Sequence, residues 1–104
     1  MGILKSDNIY YVSSCYSYRQ QLIDESNEAF VSRKAAELEA KILEIGPETI
    51  MCFVLEPVVG AALGCVPSVP GYLESMKQIC HKYGILLIYD EIMCGIGRTG
   101  TLHA

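Results

Sequence analysis

Charged side chains are scarce in this chain, at 19% of 104 residues, and its eight lysines and arginines form no cluster. A polypeptide that holds nucleic acid or an anionic bilayer by electrostatics needs a basic patch, so neither partner is expected. CxxC spacing is also absent: the five cysteines (Cys15, Cys52, Cys65, Cys80 and Cys94) are odd in number and scattered. Cys52 and Cys80 fall inside apolar segments, where a free thiol behaves as a small buried hydrophobe. That usage argues against a disulfide scaffold or a zinc site and for a reduced, intracellular protein of the cytoplasm or mitochondrial matrix. With only His81 and His103 to draw on, no metal centre is expected. No basic leader with a long apolar run opens the chain, and the longest apolar runs are too short to span a bilayer. Internal repeats and low-complexity tracts are missing as well.

What is present is apolar surface. Hydrophobic residues make up 51% of the chain and the mean hydropathy is +0.28, with a net charge of −4 and a pI near 5.0. A length of 104 residues is enough for one small domain at most. So apolar a balance on so small a body implies that part of its surface lies against other protein, and that the chain is an incomplete unit.

Residues 1–25 show no sustained period and read as irregular, with a short strand at residues 9–12. Ser26 then reads as a helix N-cap with Glu28 in the first turn, near the positive end of the helix dipole. Val31, Ala35, Leu38, Ile42 and Ile45 recur at spacings of four and three, one helical stripe. Arg33, Lys34, Glu37 and Lys41 are assigned to the opposite, solvated face, and Gly46-Pro47 stops the helix. Residues 50–55 are apolar at every position, which suits a strand covered on both faces. A connection over residues 58–69 leads to a second helix over 71–83, with Tyr72, Leu73, Met76, Ile79, Cys80 and Tyr83 as its buried stripe. Gly84 ends it, and a strand follows over 85–89.

Strand, helix and strand at this spacing form a βαβ unit with parallel strands, so both strands end on one edge of the sheet. Glu56 and Asp90 emerge together on that edge, where open α/β sheets bind their ligands. Taken singly, Asp90 is equally an acid that caps a loop or pairs with Arg98, and Glu56 a solvated strand end. Gly95-Ile96-Gly97-Arg98-Thr99-Gly100 spells GxGxxG, but a dinucleotide site needs the first glycine directly after the strand and a helix opening at the third. Residues 90–94 intervene here, and Arg98-Thr99-Gly100-Thr101 reads as loop, so that use is not expected.

The conjunction is more specific than its parts. Leu55-Glu56-Pro57-Val58-x-Gly60, Val66-Pro67, Gly71-Tyr72-Leu73, Ile79-Cys80-x-x-Tyr83-Gly84-Ile85-Leu86-Leu87-Ile88, Asp90-Glu91 and Gly95-x-Gly97-Arg98-Thr99-Gly100 follow in that order. This series resembles the class-III (ω-amino-acid type) aminotransferases, pyridoxal-phosphate enzymes of the aspartate-aminotransferase-like fold. The likeness runs from Glu56 to Thr101 and more loosely back through Tyr16-x-Tyr18-Arg19 and the first helix. It implies an α/β fold in which residues 1–104 are a partial parallel-sheet segment of the cofactor-binding large domain, type I of the pyridoxal-phosphate folds.

The resemblance also implies roles. Asp90 would pair with the pyridine nitrogen of pyridoxal 5'-phosphate and keep it protonated, so that the ring withdraws electrons when a substrate C–H bond breaks. Ile92 would pack on the ring face, Met93 would lie at the cofactor, and Glu56 would stand at the substrate mouth. Many members carry Gln at the positions of Val59 and Met93, and Met93 cannot donate the hydrogen bond that a Gln there gives the cofactor. The implied reaction moves an amino group from an amine or ω-amino acid to a 2-oxo acid, in a homodimer. The family's Schiff-base lysine follows the Gly-Arg-Thr-Gly loop; Lys5, Lys34, Lys41, Lys77 and Lys82 are the lysines here, and all precede it. A chain without that lysine and without the phosphate-cradling turn is expected to be inactive alone. The competing expectation is a truncated remnant that acts, if at all, as an interaction module.

Overall fold

The computed structural model describes residues 7–17, 21–60 and 63–104. Lys5, Tyr18 and Arg19 lie outside the described residues. Helix α1 (Asn27–Ile45) starts where expected: the Ser26 hydroxyl accepts the Ala29 N–H at 3.1 Å, and Glu28 sits in the first turn. Gly46 ends it at φ 106°, with its N–H on the Ile42 carbonyl at 2.9 Å. A short 3-10 turn, Pro47–Thr49, leads to strand β1 (Cys52–Leu55). The connection read as loop contains a small antiparallel ladder, β2 (Val58–Val59) with β3 (Val66–Pro67). Helix α2 (Tyr72–Lys82) and strand β4 (Leu86–Tyr89) complete the order. Gly84 turns α2 into β4 at φ 68°, a left-handed conformation that glycine adopts without strain.

Strands β1 and β4 are parallel neighbours, with Cys52 opposite Leu86 and Leu55 opposite Tyr89, so the βαβ reading holds. Both helices pack on one side. Phe30, Val31, Leu38 and Ile42 of α1 meet Tyr72, Met76, Ile79 and Cys80 of α2 in a common core, with Phe53, Leu55 and Leu87 of the sheet against it. Burying each such large side chain is worth about 1.5–3 kcal/mol.

Three expectations are corrected. Lys34 is not on the solvated face; it is 5% exposed. At 100° per residue, position 34 falls between Phe30 and Leu38 on the buried stripe, so geometry outranks the charge. The side chain lays its methylenes against the core and brings Nζ to the Ser13 hydroxyl at 2.7 Å. Residues 9–12 form no ladder; the segment is tied instead to α1, where the Glu37 carboxylate accepts from the Ser13 N–H and hydroxyl at 2.6 and 2.5 Å. Finally, the sheet is covered on one face only. Val54, Leu86 and Ile88 are 54%, 62% and 39% exposed, because alternate residues of a strand face opposite sides and no second layer exists among the described residues.

Candidate functional site

The parallel register places the ends of β1 and β4 side by side, and the Asp90 N–H donates to the Leu55 carbonyl at 2.8 Å. Glu56 and Asp90 therefore leave the sheet together, as the sequence predicts. Each carboxylate then organises its own loop. Asp90 Oδ1 accepts the Ile92 N–H at 3.1 Å, and Arg98 makes no ion pair with it. Ile92 is left 91% exposed beside that acid. Glu56 is half-buried, not a freely solvated strand end; its Oε2 accepts the Gly60 N–H at 3.1 Å. The Gly60 carbonyl in turn accepts from Gly64 and Cys65 at 2.8 and 3.0 Å, which closes a tight turn.

Met93 joins the two loops. A Cβ on Gly60 would lie 2.6 Å from its Sδ and 3.1 Å from its Cε, so the thioether rests directly on the glycine backbone. The contact was not legible in the sequence; the Glu56-x-x-x-Gly60 spacing was the available signal. Glu56 also lines a cavity of about 170 Å³, together with Ser13, Cys15, Leu55, Val59 and Tyr72 among others. Burial pushes the Tyr72 phenol up to about 12 and also raises the Cys15 thiol. Burial holds the Lys34 ammonium below its ordinary value despite Glu37 at 3.9 Å. The Glu37 carboxyl is raised by burial, but the two Ser13 hydrogen bonds and Lys34 outweigh that and lower it overall.

Glu91, beside Asp90, was given no role by the sequence. Its carboxylate takes the Ala104 N–H at 3.4 Å and faces His103 Nδ1 at 3.3 Å. Its carbonyl accepts the Gly95 N–H at 2.8 Å. The glycine-rich loop folds back on itself from there: Ile96 donates to Leu102 at 2.7 Å, Gly97 to Thr101 at 2.8 Å and Gly100 to Gly97 at 3.1 Å. Those N–H groups are spent within the loop, and no helix opens at Gly100, so the GxGxxG string lacks the helix N-terminus of a diphosphate cradle.

The edge fits the ring end of a pyridine cofactor. Asp90 commits only Oδ1, leaving Oδ2 without a partner among the described residues, and an uncovered apolar side chain adjoins it. No described lysine stands there. Lys34 is buried against Ser13, Lys41 pairs with Glu44 at 3.5 Å, and Lys77 is exposed on α2. Lys82 ends α2, at the start of β4 and so at the opposite edge, paired with Glu39 at 3.0 Å. The described residues hold no group of three His, Cys, Asp or Glu able to bind a metal, and no described helix is long and apolar enough to cross a membrane.

An acid ending one strand of a parallel pair, with an exposed apolar residue two positions on, lies where open α/β sheets bind their ligands. Comparison with known proteins makes it specific. The aminotransferase class-III family model matches residues 4–104, and the chain belongs to that family. It is 48% identical over 102 residues to an aminotransferase of Gibberella zeae, across 98% of this chain and 20% of that one. Identity is 46% over 85 residues to a probable mitochondrial γ-aminobutyrate transaminase 3 of rice (Oryza sativa subsp. indica), 82% of this chain and 16% of the other. Among solved structures, the ω-transaminase of Pseudomonas jessenii in complex with PMP superposes with a TM-score of 0.86 at 41% identity, covering 98% of this chain and 23% of that one. The chain thus spans about a fifth of the length of the curated relatives it matches.

Proposed function

We propose that these residues are part of the large, cofactor-binding domain of a transaminase, and that the whole protein moves an amino group from an amine or ω-amino acid to a 2-oxo acid. The observation that carries this reading is Asp90, pinned to Leu55 at the carboxyl edge of a parallel sheet with one carboxylate oxygen uncommitted. Asp90 would hold the pyridine nitrogen of pyridoxal 5'-phosphate, Ile92 would cover the ring face, and Met93 would close the edge beside them. Glu56 would manage the charged end of the substrate. When bound, the cofactor supplies an electron sink for the C–H bond broken in the substrate.

The residues' own contributions follow from their setting. The Asp90–Leu55 backbone hydrogen bond and the Ile92 N–H on Oδ1 hold the acid before any ligand arrives, so little reorganisation accompanies charge development. Ile92, being apolar, would keep water off the ring face and lower the local dielectric around Asp90. Among the described residues no lysine stands at this edge, and the 104-residue chain is proposed to be inactive by itself. A homodimer and residence in the cytoplasm or mitochondrial matrix complete the reading; the second is supported by the mitochondrial designation of the rice relative.

The test is amino transfer by the full-length protein, supplied with pyridoxal phosphate, an ω-amino acid and a 2-oxo acid. Formation of the new amino acid in proportion to donor consumed is the expected result. Full-length protein that binds the cofactor yet transfers no amino group from any of a panel of amines and ω-amino acids would overturn it. On the 104-residue chain, borohydride trapping followed by peptide mapping should give only weak, scattered lysine labelling, since exposed amines near pKa ~10.4 are mostly protonated at neutral pH. One stoichiometric adduct would contradict the proposed inactivity.

A further inference from the structure

We propose that Met93 is a positioning residue for the amino donor, acting through Gly60 on Glu56. The inference rests on the transaminase reading, and it adds a role for Met93 and a route to Glu56 that this reading does not require. After Leu55 and Tyr89 the two chain segments leave the sheet side by side, tied at the root by the Asp90 N–H on the Leu55 carbonyl at 2.8 Å. Further out, Met93 rests on Gly60. A Cβ at position 60 would sit 2.6 Å from Sδ, so any other residue there must push the Met93 thioether off this backbone.

Gly60 cannot yield easily. It is buried, and its carbonyl holds the N–H groups of Gly64 and Cys65 at 2.8 and 3.0 Å. Its own N–H is the one described donor to the Glu56 carboxylate, at 3.1 Å. The orientation of Glu56 is therefore set by where Gly60 is held, and Met93 caps Gly60 from the side of the Asp90 loop. An unbranched, polarizable thioether suits this place, since it follows an irregular backbone surface that a branched or planar side chain would meet at one point. Removing it takes away the outer tie between the two loops and leaves the root hydrogen bond intact. The donor-facing carboxylate should then wander while the ring acid stays in place.

This predicts a split between substrate affinity and turnover. In the full-length protein, Met93→Ala should raise the donor KM about tenfold, by more than any accompanying fall in kcat, the signature of lost binding as opposed to lost transition-state stabilisation. Hydrogen exchange on the apoprotein reads the same coupling without cofactor or turnover. The Gly60, Gly64 and Cys65 amides should exchange about tenfold faster in Met93→Ala, while the Asp90 amide keeps its protection. Met93→Leu, similar in volume but branched at Cγ, should restore both readouts only in part. Gly60→Ala should mimic Met93→Ala, and the double variant should be no worse than either single one, because both break one contact. Native-like exchange at Gly60 in Met93→Ala, with amino transfer by the unaltered protein intact, would overturn the inference and leave the transaminase reading standing. Absence of amino transfer by the unaltered protein would instead remove that reading, and the role for the donor with it.

Discussion

The two faces of the β1–β4 sheet are built from equally apolar residues and end in opposite environments. Phe53, Leu55 and Leu87 pack under α1 and α2, whereas Val54, Leu86 and Ile88 on the reverse face stay exposed. The covered face is held by features this chain supplies itself: a capped helix, a four-residue stripe, and the ties of Tyr83 and Lys82 to Glu39 at 2.7 and 3.0 Å. The bare face has the composition of a core and no layer over it. A strand that is apolar at every position states a demand for two layers, and only one is supplied here. The difference separates what this chain stabilises by itself from what it offers to the rest of a larger domain. The candidate site lies at the edge where these two regimes meet.

The largest expected effect is on chemistry at that edge. Asp90→Ala in the full-length protein should slow amino transfer about 10³-fold, the scale of losing one preorganised electrostatic partner from a reacting charge. Half-reaction kinetics with a bound-cofactor spectrum measures it, and a near-normal rate would separate the site from this edge. Second comes a charge on the bare face. Val54→Glu should destabilise the full-length protein by about 3 kcal/mol through an unpaired buried charge, yet raise the solubility of the 104-residue chain, where Val54 meets water. Chemical denaturation of the one and sedimentation of the other decide this; the same direction in both would erase the contrast between faces.

The covered face makes an alkaline prediction. Burial moves the Tyr72 phenol from an ordinary value of 10.0 to about 12, so its neutral form is favoured in the fold. The unfolded chain ionises first as pH rises, and the stabilisation, fully present below pH 10, is lost between about 10 and 12. The loss is about 2–3 kcal/mol by the shift itself, and Lys34, whose ammonium burial disfavours, offsets part of it over the alkaline range. Thermal scans of the full-length protein against pH should show a shallower decline in Tyr72→Phe. The smallest effect belongs to the start of α1: Ser26→Ala should cost about 1 kcal/mol, read as a shift in the denaturation midpoint, while Ser26→Asp should cost almost nothing.

Most of the frame was readable before the structure. The Ser26 cap, the Gly46 and Gly84 stops and the stripe of α2 are local signals carried by single residues or fixed spacings. The shared edge of Glu56 and Asp90 follows from parallel pairing alone. What was hidden depended on contacts between distant segments. Lys34 looks solvated by identity but is buried by angle, and its partner Ser13 lies 21 residues away. Phe30, fully buried, was passed over because the stripe was counted from Val31. Met93 was read through the Gln it replaces, so its packing on Gly60 of another loop was invisible. Glu91 was overshadowed by its neighbour, and its partners His103 and Ala104 are brought to it only by the fold-back of the glycine-rich loop.

The central claim is that Asp90 governs the protonation of a bound pyridine ring. Nitrogen-15 NMR of the full-length protein, loaded with ring-labelled pyridoxal phosphate, reads that proton directly. A protonated ring nitrogen at neutral pH is expected in the unaltered protein and an unprotonated one in Asp90→Asn with the cofactor still bound. The same nitrogen shift in both proteins would contradict it.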